Sequence, residues 1–237
     1  VCPAMHTEMW EHASVQENIA TLRRRGVHIL EPETGRLAGG DVGAGRLAEP
    51  QRIFSEVEQL LTPGDLHGAH VVVTAGGTRE PIDAVRVIAN RSTGKQGYAI
   101  ATEAVARGAR VTLISTTDLP TPFGVTLVPV ETAQQMMEAV NAEAKSADVV
   151  VMAAAVADVR PVRSALHKLK KDPHTGLICD LGSIELEATP DILAGLGKSK
   201  PAGQVLVGFA AETENLIANA QSKLERKGAD LIVANDV

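Results

Sequence analysis

The residues best equipped for chemistry lie in one polar run. "ANRSTGKQGYAIA", residues 89–101, sets Asn90, Arg91, Ser92, Thr93, Gly94 and Lys95 directly before an alanine-rich amphipathic stretch. A helix opening near Gly94 would turn its free N–H groups and positive dipole end toward Ser92 and Thr93. That is a grip for a phosphate or a carboxylate, with Asn90 and Arg91 as contacts to the same ligand. Ser92 as a simple N-cap is the plainer alternative. Capping needs one residue, however, and this loop adds an amide and two cations.

Other segments offer matching chemistry. "VVVTAGGTREPID" places Gly76 and Gly77 straight after an apolar run, where glycine lets backbone approach a ligand closely. Thr78 and Arg79 would then reach phosphate oxygens; an ordinary turn with a solvated arginine is the alternative. Neither G-x-G-x-x-G nor G-x-x-x-x-G-K-[ST] occurs there. "GAGRLA", residues 43–48, matches G-x-G-x-x-A by letter, but no apolar strand precedes it and Pro50 follows too soon. In "AAAVADVRP" the small Ala153, Ala154 and Ala155 would let a flat base lie on the backbone, read by main-chain donors and acceptors. Asp158 would accept from a ribose hydroxyl or help hold Mg²⁺, or else serve a turn. "KLKK" puts Lys168 and Lys170 on one strand face and Lys171 on the other. They would supply charge to a triphosphate, or simply guard an edge strand. Lys223 and Lys227 share a helix face at i, i+4. His67 and His70 lie three apart without Cys or a Glu general base, so they are not read as a metal site.

These groups need a scaffold, and the pattern supplies one. Strands are expected at 70–75, 110–116, 126–130, 148–157, 204–210 and 230–235, with helices at 97–108, 132–145, 190–198 and 212–228. That alternation implies an α/β, Rossmann-like, mainly parallel twisted sheet with helices on both faces. "KDPHTG", residues 171–176, reads as an inserted hairpin, with "KLKK" on its ascending arm. Ligands of such sheets bind beyond the carboxyl ends of the strands. This selects "AGGTREPID", "AVADVRP", "FAAETEN" and "ANDV". Residues 1–66 differ: a helix through "MWEHASVQENIATLRRRG", a short strand "VHIL", a long loop "EPETGRLAGGDVGAGRLAEP" and a helix over 50–61. They have too few strands for a core of their own and look like the tail of another domain, with 67–237 forming the α/β domain.

Composition narrows the function. The 237 residues are 44% hydrophobic and 22% charged, with a formal net charge of −6 and mean hydropathy +0.03. One Trp, one Tyr and three Phe leave no stacking platform for single-stranded nucleic acid, and the acidic balance gives no overall basic footprint. Cys2 and Cys179 form no metal spacing and suit a reducing cytoplasm. No signal peptide is visible. The longest apolar run, "VVVMAAAVA", has nine residues where a bilayer span needs about 20.

In order, "TAGGTREPIDAVRVIANRSTGKQGYAIA", "AAAVADVRP", "KLKK", "TPDIL", "VGFAAETEN" and "ANDV" resemble the phosphopantothenate–cysteine ligase module of bacterial coenzyme A synthesis, over about residues 68–237. "PAMHTEMW" and "GGDVGAGRLAEP" resemble the end of the flavin-dependent phosphopantothenoylcysteine decarboxylase fused before it in the bifunctional bacterial protein. The resemblance implies that the carboxylate of 4′-phosphopantothenate attacks the α-phosphate of CTP, giving an acyl-cytidylate and pyrophosphate, and that cysteine then displaces CMP. It implies Asn90 for the second step and Lys168 for the first. It carries CTP contacts to Met152, Ala153, Ala154, Asp158, Lys168, Pro190, Asp191, Ile192, Leu193, Phe209, Lys223 and Lys227; the residues themselves add Gly76, Gly77, Ser92 and Gly94. Mg²⁺ would assist, with Asp158 as its ligand. FMN would belong only to the decarboxylase part, whose flavin-binding segment is not in this sequence. Gly39 in "AGGD" stands where many relatives carry the proton-donating cysteine, so this chain is not expected to decarboxylate. The family continues past "ANDV", so the ligase domain is expected to be C-terminally incomplete. A homodimer through the ligase domain, a larger homo-oligomer in the fusion, and a cytoplasmic location without nucleic-acid or membrane partners complete the expectation.

Two rival readings follow from the same letters. A nicotinamide-dependent oxidoreductase would need a glycine fingerprint at 74–80 and an acidic residue about 20 positions on, where the chain has "VIANRSTGK". A non-catalytic piece of a flavoprotein would account for residues 1–66 but leave the polar run unused.

Overall fold

The computed structural model describes residues 1–61, 64–170 and 184–236. The backbone separates into two units, one ending at residue 63 and the other beginning at residue 64. In the first, α1 (Thr7–Trp10) and α2 (Ala13–Arg24) replace the single helix expected there. His12 causes the break: it is extended, and its ring nitrogen accepts from the Ser14 N–H, starting a new helix. "VHIL" is not a strand. Residues 27–30 join no ladder: Val27 N–H donates to the Leu22 carbonyl at 3.0 Å, Val1 to the His28 carbonyl at 2.7 Å and Leu30 N–H to the Val1 carbonyl at 3.0 Å. The segment expected as a loop instead holds an antiparallel ribbon of β1 (Glu33–Arg36) and β2 (Val42–Arg46). "GAGRLA" therefore begins inside a ribbon, not at a strand-to-helix turn. Helix α3 (Pro50–Leu61) ends the unit.

The second unit runs β3 (His70–Ala75), β4 (Arg79–Pro81), β5 (Val87–Ala89), α4 (Lys95–Ala106), β6 (Arg110–Ser115), β7 (Val125–Pro129), α5 (Ala133–Glu143) and β8 (Val149–Met152). It continues with β9 (Val159–Pro161), β10 (Leu186–Ala188), α6 (Ile192–Ser199), β11 (Val205–Glu212), α7 (Leu216–Lys227) and β12 (Leu231–Asp236). Six strands form one parallel sheet in the order β12-β11-β8-β3-β6-β7. "HVVVTA" is buried at every position, as a central strand covered on both faces must be. Alternation divides it. Val71, Val73 and Ala75 pack with Tyr98, Ala101 and Ala104 of α4, whereas Val72 joins Met136 and Val140 of α5 and Ile192 and Leu196 of α6. The unit is thus a helix–sheet–helix sandwich. Two of its helices start where the sequence provides side-chain caps: Thr132 and Gln135 form a capping box on α5, and Asp191 accepts from Ala194 N–H on α6.

The sequence pattern misplaces several ends. The central strand, expected over 148–157, stops at Met152, because residues beyond it are captured by neighbouring loops (below). Two short antiparallel ribbons, β4–β5 and β9–β10, were not expected. The insertion that carries "KLKK" leaves from β9 and returns at β10. Residues 168–170 are not strand, so the face assignment of Lys168 and Lys170 does not hold; Lys171 and the expected hairpin at 171–176 lie outside the described residues.

Candidate functional site

The site begins with how two strand tips are joined. Beyond β3 and β8, Ala154 N–H donates to Thr74 Oγ1 at 3.0 Å and Ala155 N–H to the Gly76 carbonyl at 2.8 Å. Thr78 N–H returns to the Ala155 carbonyl at 3.3 Å, and Ala157 N–H donates to Thr78 Oγ1 at 2.9 Å. Both threonines are fully buried. The main-chain donors of Ala154 and Ala155, expected to read a base, are therefore already engaged, and Thr78 does not reach out to phosphate. Arg79 is exposed in β4, with its N–H on the Glu131 carbonyl. Gly76 has φ +87°, and a Cβ on Gly77 would stand 2.5 Å from the Asn90 carbonyl. These glycines are joints that bring the Asn90 loop against the strand tips; they do not line the cavity formed there.

That cavity has a volume of about 690 Å³. Asn90, Arg91, Ser92 and Gln96 line it from the α4 side; Met152, Ala153, Ala154 and Asp158 from the tip of β8. Pro190, Asp191, Ile192 and Leu193 at the start of α6, Phe209 of β11, Lys223 and Lys227 of α7, and Asn235 of β12 line it too. Helices α4 and α6 cover opposite faces of the sheet. The cavity therefore straddles the strand tips, where an open α/β sheet binds its ligands. Fourteen of the sequence-predicted residues lie in this lining; Gly76, Gly77 and Lys168 do not, and Gly94 faces a second hollow of about 360 Å³, which shares Arg91, Ser92, Gln96 and Ala153 with the first.

Charge is concentrated at one end. Lys223 Nζ donates to the Phe209 carbonyl at 2.7 Å. Burial pulls its pKa below the ordinary lysine value; Lys227 and Arg226 act the same way, against Glu212 and Asp158. Lys227 donates to Asp191, which also caps α6 by accepting from Ala194 N–H at 3.1 Å. Burial pushes the Asp191 carboxyl up, but the bonds from Lys227 and Ala194 outweigh it and leave the pKa lowered. One carboxylate thus fixes both the α6 terminus and a cation. At the other end, Asn90 Nδ2 donates to the Val156 carbonyl at 3.0 Å, which sets the plane of its amide. The N-cap of α4 is Gly94 at φ +75°, not Ser92. Ser92 Oγ and Thr93 Oγ1 accept from Gly94 and Lys95 N–H at 3.4 and 3.5 Å, bonds at the long limit that leave this terminus weakly capped.

Lys168 is not brought to the cavity. It is exposed and absent from the lining, although its neighbour Leu169 is anchored: Leu169 N–H donates to Asp83 Oδ2 at 3.2 Å and Arg86 Nη1 to the Leu169 carbonyl at 3.3 Å. His67 is exposed and His70 buried against the Ser146 carbonyl and Thr112 Oγ1, at 3.1 Å each. Among the described residues no group of three or more His, Cys, Asp and Glu could hold a metal ion. Asp158, one of two exposed carboxylates in the lining with Asp191, fits the way Mg²⁺ is held with phosphates, by one or two carboxylates. Of the polar lining residues, sequence reasoning singled out neither Gln96, Thr189 nor Asn235, although each lies in a segment it quoted: "ANRSTGKQGYAIA", "TPDIL" and "ANDV".

Comparison with known proteins now adds to the geometry. Residues 66–237 match the DNA/pantothenate metabolism flavoprotein C-terminal domain, and residues 1–62 match the flavoprotein family. The coenzyme A biosynthesis bifunctional protein CoaBC of Mycobacterium tuberculosis is 51% identical over 251 residues, covering 99% of this chain and 59% of that protein. The chain therefore spans less than two thirds of that relative's length. The crystal structure of the C-terminal domain of a CoaBC protein is 48% identical, with a TM-score of 0.63, covering 73% of this chain and 80% of the other. A Cab2 mutant complexed with phosphopantothenate-cysteine, 21% identical, shares the fold at a TM-score of 0.61 over 78% of this chain and 77% of its own. By its sequence over residues 66–237, the chain belongs to the DNA/pantothenate metabolism flavoprotein C-terminal domain family.

Proposed function

We propose that residues 64–237 belong to a phosphopantothenate–cysteine ligase of coenzyme A biosynthesis that uses CTP. The carboxylate of 4′-phosphopantothenate attacks the α-phosphorus of CTP and pyrophosphate leaves, giving an acyl-cytidylate. The amine of cysteine then attacks the acyl carbon, CMP leaves with the C–O bond electrons, and the amine loses a proton. Lys223 and Lys227 hold the nucleotide's phosphates, Pro190, Asp191, Ile192 and Leu193 border the nucleoside, and Phe209 packs beside it. Fixed cations in a partly water-excluded cavity stabilise charge on phosphate oxygens without reorganising during the reaction. Mg²⁺ held by Asp158 would neutralise further phosphate charge. Asn90 orients the acyl-cytidylate for the amine, and Lys168 acts in the first step, which requires the segment that bears it to reach the cavity.

The observation that carries this reading is the composition of one cavity: the amide and cation of the α4 loop at one end, two lysines of α7 at the other. Two substrates that must react with each other require such a two-ended site. The CoaBC relatives and the phosphopantothenate-cysteine bound by the Cab2 mutant support the choice of chemistry. Residues 1–63 are proposed as the end of a decarboxylase domain whose FMN binds elsewhere in that domain, and the ligase unit as half of a homodimer in the cytoplasm. The test is direct: full-length protein with CTP, Mg²⁺ and 4′-phosphopantothenate should release pyrophosphate, and cysteine should then yield phosphopantothenoylcysteine and CMP. Absence of nucleotide-dependent product with either substrate sinks the proposal.

A further inference from the structure

Two carboxamides in the cavity have no role in the chemistry above. Gln96 lies in the first turn of α4 and Asn235 near the end of β12, 139 residues apart in the chain. Asn235 Nδ2 donates to Gln96 Oε1 at 3.4 Å, and both side chains line the cavity. The register explains how they meet. Phe209 pairs with Val233 and Ala211 with Asn235 along the parallel ladder, so Phe209 and Asn235 share one face of the sheet. Phe209 packs into the cluster under α4, which puts Asn235 on the α4 face as well. The lysines of the nucleotide end come from α7, which packs against α6 across the sheet from α4.

Each carboxamide offers two N–H donors and an acceptor oxygen. Their mutual bond uses one donor and one acceptor. Among the described residues no other protein partner engages Gln96 Nε2 or Asn235 Oδ1. What remains is an acceptor and a donor side by side, the complement of a secondary amide, with the bond between them long enough to give way. The anion grip of the α4 loop begins one turn of chain away, at Arg91 and Ser92.

Resting on the ligase reading, we infer that Gln96 and Asn235 are specificity residues for the acid substrate. They clasp its secondary amide, Asn235 Oδ1 accepting the amide N–H and Gln96 Nε2 donating to the amide carbonyl, while the nucleotide occupies the other end. No bond is made or broken at this clasp. Its effect is on which acid binds, and in what orientation the carboxylate is presented.

The experiment uses the full-length protein, its Asn235→Leu and Gln96→Leu variants, and two acids: 4′-phosphopantothenate and its N-methyl amide, which lacks the N–H. Pyrophosphate release during turnover at saturating cysteine is read as KM for each acid and for CTP. In the unaltered protein, N-methylation should raise the acid KM about tenfold, the effect of one uncharged hydrogen bond. In Asn235→Leu the KM for the natural acid should rise by a similar factor and the methylation penalty should vanish, with the CTP KM within about twofold. Gln96→Leu should raise the acid KM and keep part of the penalty. An undiminished penalty in Asn235→Leu overturns the clasp, as does an equal rise in the CTP KM, which would mark a folding defect. Lack of any pyrophosphate release by the unaltered protein overturns the ligase reading itself, a result separable from the first two.

Discussion

Lys223 is half-buried, donates to a main-chain carbonyl and faces a second lysine one turn away. Holding that charge without a ligand is costly, which is why its pKa is lowered; an anion between Lys223 and Lys227 would relieve the cost. Lys223→Gln should therefore raise the CTP KM by about 10- to 100-fold, the range for a charge-assisted bond. The sign with pH follows: the ammonium is the binding form, so CTP affinity should weaken as pH rises through the lowered pKa, at a lower pH than an ordinary lysine would give. Titrating CTP affinity against pH in the unaltered and Lys223→Gln proteins checks both. Asn90 is different, because its amide nitrogen is committed to Val156. In Asn90→Asp that bond loses its donor and a negative charge enters beside the acyl group. Pyrophosphate release should stay measurable while amide formation stops, as separate assays of the two half-reactions would show. Equal loss in both would contradict the role given to Asn90.

The turn between β4 and β5 shows why parts of the site were hidden in the sequence. Asp83 is buried and accepts from Val85 N–H and Arg86 N–H at 2.8 Å each, from Leu169 N–H at 3.2 Å and from Arg86 Nη1 at 2.5 Å. Burial raises its pKa, but these donors overcome that and lower it to about 2. A carboxylate depressed in the folded state adds stability above its unfolded pKa, near 3.8, and loses it as pH falls toward 2. Asp83→Asn should thus be less stable than the unaltered protein at neutral pH, with the difference shrinking between about pH 4 and pH 2, measurable by denaturant unfolding across that range. Nothing local in "PIDAVR" announces that Asp83 holds Leu169, 86 residues away. The same holds for Thr78, whose hydroxyl is taken by Ala157 from 79 residues away. Three-residue strands such as β4 and β9 are too short to show a period. By contrast, the strands β3, β6 and β11 and the helices between them were legible, because continuous apolar burial and 3.6-residue spacing are written into adjacent letters.

For the second unit as a whole, the sheet order explains the site's composition. β8 lies between β3 and β11, so the loop after β8 meets the loop before α4 on one side and the start of α6 on the other. Three of the segments selected by the strand-end rule, "AVADVRP", "FAAETEN" and "ANDV", supply residues that line the cavity. It could not separate lining from support: Gly76 and Gly77 hold the loops together and leave the lining to Asn90 and Ser92. That support is itself testable. A methyl group on Gly77 would press on the Asn90 carbonyl, so Gly77→Ala should slow amide formation more than it weakens CTP binding, read from the same half-reaction assays alongside calorimetry. Lys168, expected to act in the first step, is absent from the lining, and the role proposed for it requires the segment that bears it to reach the cavity.

The most direct measurement is pyrophosphate formed by full-length protein mixed with CTP and Mg²⁺, with and without 4′-phosphopantothenate, in the absence of cysteine. An acyl-cytidylate built in this cavity predicts release only when the acid is present, at about one equivalent per site until cysteine is added. Release without the acid, or none with it, would contradict a two-substrate site at these strand tips.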